Sequence, residues 1–192
     1  MKKTWDQRKY NHWLKRIFLE RFLKTILEEI RYSKAKTILD LGCGEGYPDE
    51  YFFKNLPGLK LIGIDKNENL LKNARKKNPG CFYQTGNILN LPFKKWQFDL
   101  VLVMEVLEHM RNPEKIILQT KKIAPKAIYT VPFEPWFSFC CFLSGNYLSR
   151  LGRHPDHLNF WNKRSFKQVL DKFFRKVKIR ITFPWLIAVC EK

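Results

Sequence analysis

A chain of 192 residues can bury one full core, and its 45% apolar content is ordinary for a globular domain. A net charge of +18 raises RNA or an anionic membrane as partner, but the basic residues are scattered, which favours the plainer account of lysines on solvated faces. No run of about eighteen apolar residues suggests a membrane span, no apolar stretch makes the basic start M-K-K-T-W-D-Q-R a secretory signal, and five cysteines without C-x-x-C spacing disfavour zinc or a disulfide framework and suit a reducing cytosol.

Residues 4–32 read as a helix, with Trp13, Ile17, Phe18, Leu23, Ile26, Leu27 and Ile30 at roughly helical spacing and Lys9, Lys15, Arg16, Arg21, Lys24 and Arg31 on other faces. Such a helix either packs on the domain edge over a cofactor mouth, the reading preferred here, or lies on a membrane or RNA. Thr37–Leu41 is an apolar strand that stops at Gly42, Gly44 and Gly46. Glycine accepts positive φ and lets a ligand approach the backbone, so the turn suits an anionic or nucleotide-like group. A helix follows from Pro48 to Asn55, then a strand over Lys60–Asp65, a helix over Glu68–Lys77 capped by Asn67, and a strand over Cys81–Gln84. Phe98–Met104 is a continuous apolar strand, buried on both faces. A helix starting at Asn112-Pro113-Glu114 and a strand over Lys126–Val131 complete a β-α rhythm, which argues for a mostly parallel sheet.

The glycine spacing is G-x-G-x-G; a dinucleotide fingerprint would place its third glycine at Tyr47. With I-L-D-L-G-C-G-E-G, Asp65 about twenty residues on, and E-V-L-E-H at Glu105–His109, the stretch from Lys34 to Phe133 resembles the class I S-adenosylmethionine-dependent methyltransferases, of the broad small-molecule group related to quinone-biosynthesis enzymes. The resemblance implies an α/β fold: a Rossmann-like, mostly parallel sheet with a C-terminal antiparallel strand pair and helices on both faces. It implies S-adenosyl-L-methionine as cofactor, leaving as S-adenosyl-L-homocysteine. It places Asp40, Gly42, Cys43, Gly44 and Gly46 around the methionine part, Asp65 and Lys66 at the ribose, Asn87 and Ile88 at the adenine, and Met104 and Glu105 at the cofactor border. Asn87 stands where the family usually has aspartate; its carbonyl can accept from the adenine amine, or it can simply form an Asx turn.

His109 and His157 are the candidate bases; each could instead be a histidine bonded to backbone. His154-Pro155-Asp156-His157 could offer zinc ligands, but no cysteine completes a set and methyl transfer needs no metal, so none is assigned. Residues 133–162 are aromatic-rich and too long for an ordinary connection, which suggests a lid or binding loop. Glu134, Trp136, Phe139, Tyr147, His157 and Trp161 are the candidate acceptor contacts there; the aromatics could also roof the core or dip into a membrane. Ser165 caps a helix to about Phe174, and Val177–Thr182 and Trp185–Cys190 form the closing strand pair.

One domain is expected over 1–192: a helical extension (1–33), a cofactor-binding core (34–132), an acceptor-side insert (133–164) and a terminal helix with its strand pair (165–192). The expected activity is methyl transfer to a small, apolar or lipid-like acceptor, in the cytoplasm or peripheral to a membrane. RNA methylation is the alternative, supported by charge but not by any N-P-P-Y-like segment; a non-catalytic partner protein that binds the same cofactor is a third.

Overall fold

The computed structural model describes residues 13–192, and side chains from Arg16 onward. The expected helical residues 4–12, Lys9 included, lie outside the described residues. The elements are α1 (Trp13–Ser33), β1 (Thr37–Leu41), α2 (Tyr47–Asn55), β2 (Lys60–Asp65), α3 (Glu68–Lys77), β3 (Phe82–Thr85), β4 (Leu100–Met104), α4 (Pro113–Ile123), β5 (Lys126–Pro132), α5 (Trp136–Leu143), α6 (Lys163–Asp171), β6 (Lys176–Thr182) and β7 (Trp185–Glu191). They build one seven-stranded sheet in the order β3-β2-β1-β4-β5-β7-β6. The first five strands pair parallel; β7 pairs antiparallel with β5 and with β6.

Two apolar clusters sandwich the sheet. Leu39, Val101 and Val103 face one way, toward Ile116 and Ile117 of α4 and Phe166 and Leu170 of α6. Ile38, Leu100 and Leu102 face the other, toward Phe22 and Ile26 of α1 and Phe52 of α2. β4 is buried throughout, as a strand covered on both faces must be. The described part of α1 lies on that second face, not over a cofactor mouth. Its Phe22 ring sits 4.8 Å from that of Trp185, and buried Glu29 binds Arg180 at 2.8 Å and Lys178 at 3.2 Å.

Two local expectations change. The helix after the long insert is capped by Asn162, whose side chain accepts from the Ser165 amide while the Ser165 hydroxyl accepts from the Asn162 amide. Ser165 is thus the third residue of a capping box rather than the cap. The insert itself is not all loop, since α5 forms directly after β5. Among the described residues, no helix is long and apolar enough to cross a membrane.

Candidate active site

The carboxyl ends of β1, β2, β3 and β4 meet around a cavity of about 930 Å³. That size suits a small organic cofactor, and the place is the usual one for a ligand on an open α/β sheet. Gly42 and Asp65 form one wall, Asn87 and Ile88 a second, and Val106, His109 and Met110 a third.

Gly42, Gly44 and Gly46 all hold positive φ, at 77°, 57° and 65°. The turn is pinned from below. Asn78 Nδ2 donates to the Gly46 carbonyl and to the Tyr83 hydroxyl, both at 2.8 Å, and that hydroxyl donates to Asp49 Oδ2 at 3.0 Å. A Cβ on Gly46 would fall 2.6 Å from the Tyr83 oxygen, so glycine is required there by space as well as by φ. Asp49 is fully buried, and burial raises its carboxyl to about pH 6, partly offset by hydrogen bonds with Asp40 and Tyr83. Asp40, at the end of β1, is buried as well.

Asp65 carries the turn from the other side. Its Oδ2 accepts from the Gly44 amide at 3.1 Å and its Oδ1 from the Asn67 amide at 2.9 Å. An ionised carboxylate offers about four acceptor positions, so capacity for a diol remains. Lys66 lies beside it in the same wall. The Asn87 side-chain oxygen accepts from the Leu89 amide at 3.0 Å, an Asx turn, while the residue also lines the cavity.

Of the residues assigned to the cofactor, Asp40, Cys43, Gly44, Gly46, Met104 and Glu105 are not part of this cavity's wall. Met104 is buried in the α1-facing core and Cys43 packs beside Tyr83. Burial also drives the Cys43 thiol far above its ordinary range, so it is an inert packing group. Glu105 holds a φ of 54°, rare for a non-glycine, at the very end of β4. Its carboxylate accepts from Trp185 Nε1 and Thr130 Oγ1, each at 3.0 Å, which locks this strained corner to β5 and β7.

Past the corner, a short 3₁₀ turn over Leu107–His109 carries a cluster of titratable side chains. His109 Nδ1 lies 2.9 Å from the Asp156 carbonyl oxygen. A carbonyl only accepts, so Nδ1 carries the hydrogen. Glu108, 1% exposed, sets Oε1 3.5 Å from that Nε2. The loop behind α5 then closes on the turn. Leu158 and Asn159 donate their amides to the Glu108 carbonyl at 2.7 and 3.1 Å, and Asn159 Nδ2 donates to the Met110 carbonyl at 2.7 Å. This brings the His157 ring 5.0 Å from that of His109, with His154 stacked at 4.6 Å. Ligating atoms of Glu108, His109 and His157 lie within 4.8 Å of one another, a carboxylate–imidazole set able to hold a divalent cation.

The other acceptor-side candidates disperse. Glu134 is buried and accepts from the amide and hydroxyl of Ser138, at 3.1 and 2.9 Å, inside the first turn of α5. Trp161 is core, packed on Phe166. Tyr147 stacks edge-on against His154 at 4.9 Å, and Trp136 and Phe139 face outward. The sequence assigns no role to Glu108, and it raises His154 only as a possible zinc ligand. The signal for Glu108 was present in the E-H pair at 108–109; nothing local marked that the two distant histidine segments meet.

Known proteins show the same architecture. The model of the methyltransferase domain matches residues 39–126. Over those residues the chain matches the methyltransferase domain family. It is 30% identical over 108 residues to an uncharacterized methyltransferase of Schizosaccharomyces pombe, a match covering 50% of this chain and 39% of that protein. It is 33% identical over 99 residues to a ubiquinone biosynthesis O-methyltransferase of Coxiella burnetii, covering 50% of this chain and 41% of that one. The methyltransferase domain thus spans less than half the length of these relatives. A solved small RNA methyltransferase HEN1 superposes with a TM-score of 0.71 at 21% identity, over 90% of this chain and 25% of that one, a likeness of fold.

Proposed function

We propose that the chain transfers a methyl group from S-adenosylmethionine to a small acceptor held beside His109 and His157. The observation that carries this reading is one continuous cavity running from Gly42 and Asp65 to His109. The residues present fit the cofactor: a positive-φ glycine, Gly42, in the cavity wall, a carboxylate at the ribose position, and Asn87 with Ile88 where an adenine would rest. When bound, S-adenosylmethionine supplies an electrophilic methyl on a sulfonium.

The chain's own work is to orient, exclude water and handle a proton. Gly42 would let the methionine end approach the backbone, Asp65 would hold the ribose hydroxyls and Asn87 the adenine amine. His109 Nε2 takes the acceptor's proton, and Glu108 stabilises the imidazolium that results. The same Nε2, with Glu108 and His157, also suits a divalent cation that would fix acceptor oxygens; chelation followed by metal re-addition separates the two, since only the second loses activity to a chelator. The acceptor proposed is small and apolar or lipid-like.

RNA is the second reading, favoured by the +18 charge and by the likeness to the HEN1 fold. Labelled S-adenosylmethionine incubated with extract split into lipid, small-molecule and RNA pools tests both. Label in the lipid or small-molecule pool supports the first reading, label in RNA the second, and no label in any pool contradicts catalysis.

A further inference from the structure

We propose that the outer face of α5 and the loop behind it docks this protein on an anionic lipid surface. α5 contains no charged residue. Its Trp136, Phe139 and Leu143 recur on one side of the helix and are 49%, 52% and 69% exposed. Exposed aromatic and aliphatic groups on so apolar a helix mark a surface with a partner. The following loop extends the same patch. Gly152 is pressed so closely on α5 that a Cβ there would overlap the Ser138 carbonyl oxygen, and the Asn146 amide donates to the Cys141 carbonyl at 2.9 Å. Leu151, next to that contact, holds a left-handed φ of 51° yet leaves its side chain 74% exposed. A leucine rarely adopts that conformation, and here the strain serves to present it outward.

Charge complementarity selects the occupant. Arg150 and Arg153 are exposed in the loop, and the Arg153 guanidinium stands 5.1 Å over the Phe160 ring. Lys163 and Arg164 are exposed in the first turn of α6, which has no acidic residue. Cations oppose the dipole at a helix N-terminus, so helix stability does not account for them. Apolar side chains that enter the headgroup boundary, rimmed by arginine and lysine, are the make-up of an interfacial anchor. The inner side of α5 leads to the site, with Phe137 5.8 Å from His157 and His157 5.0 Å from His109, ring to ring. An apolar acceptor dissolved in the bilayer would thus be released next to the proton-handling cluster. That consequence rests on the methyl-transfer reading; the docking does not, and its test uses neither donor nor acceptor.

The full chain is sedimented with vesicles of phosphatidylcholine alone and of phosphatidylcholine mixed with phosphatidylglycerol. The expected result is binding to the mixed vesicles only, weakened by salt. Leu143→Asp with Leu151→Asp should lower that binding roughly tenfold or more, and Arg150→Gln with Arg153→Gln should remove most of its preference for phosphatidylglycerol. Melting curves show which variants stay folded; if the leucine pair unfolds the chain, the arginine pair decides. Wild-type protein left in the supernatant of the mixed vesicles overturns the proposal, as does equal binding to both vesicle types. So does a wild-type dimer that Leu143→Asp dissociates, which would make a second copy the occupant.

Discussion

The two ends of the cavity are built on different principles. At the glycine turn the contacts are short-range and rigid: Asn78, Tyr83 and Asp49 stack beneath Gly46, and Asp65 holds Gly44. At the His109 end the chemistry is assembled across the chain, by a loop that borrows the Glu108 carbonyl and delivers His157 from beyond α5. The glycine end depends on main-chain shape, so it tolerates little change. The His109 end depends on side chains carried by an insert, which can vary without disturbing the sheet.

The largest effect expected from this contrast is at the acceptor end. His109→Ala should lower turnover by about 10²- to 10⁴-fold, the usual range for losing a general base, while S-adenosylhomocysteine binding, measured by calorimetry, stays as in wild type. An equal loss of both would erase the distinction between the two ends. At the other end, Asp65→Ala should weaken S-adenosylhomocysteine binding roughly 10- to 100-fold through the lost ribose contact, and should also lower the melting temperature, since two backbone donors lose their acceptor. Unchanged affinity would remove Asp65 from the site.

A smaller effect separates two neighbouring glycines. Gly46→Ala meets the Tyr83 hydroxyl and Asn78 and should destabilise the fold by about 1–3 kcal/mol. Gly44→Ala meets nothing within 4 Å and should cost only about 1 kcal/mol, for its positive φ. Thermal melts check the difference, and equal losses would show that the strut under Gly46 is slack. The smallest effect is on pH. Asp49 has its carboxyl raised from 3.8 to about 6 in the fold. The native state therefore binds the proton more tightly than the unfolded chain, and stability declines as pH rises through that interval. Asp49→Asn should flatten the decline, seen as a shallower drop in denaturation midpoint from pH 4 to pH 6.

The sequence made the cofactor end legible because its causes are local. Alternating glycines after Ile38–Leu41 and an aspartate closing the next strand need no distant partner to be understood, and β1, β2 and α3 appear where the residues put them. α5 was hidden because W-F-S-F-C-C-F-L has no polar face to reveal a helical period. The cluster of Glu108, His109 and His157 was hidden because its members join only when the loop through Asn159 docks on the Leu107–His109 turn. Likewise Trp161 and Glu134 looked like acceptor contacts, but a bridge from Phe133 to Trp161 folds the base of the insert into the core. Glu105 lay in a recognisable segment, yet only the β5–β7 pairing brings Trp185 to it.

Titration of the purified chain with S-adenosylhomocysteine in a calorimeter tests the central claim most directly. Saturable binding at one site per chain, weakened roughly 10- to 100-fold on Asp65→Ala and kept on His109→Ala, is the predicted result. No heat from the wild-type chain, or binding indifferent to Asp65, would contradict it.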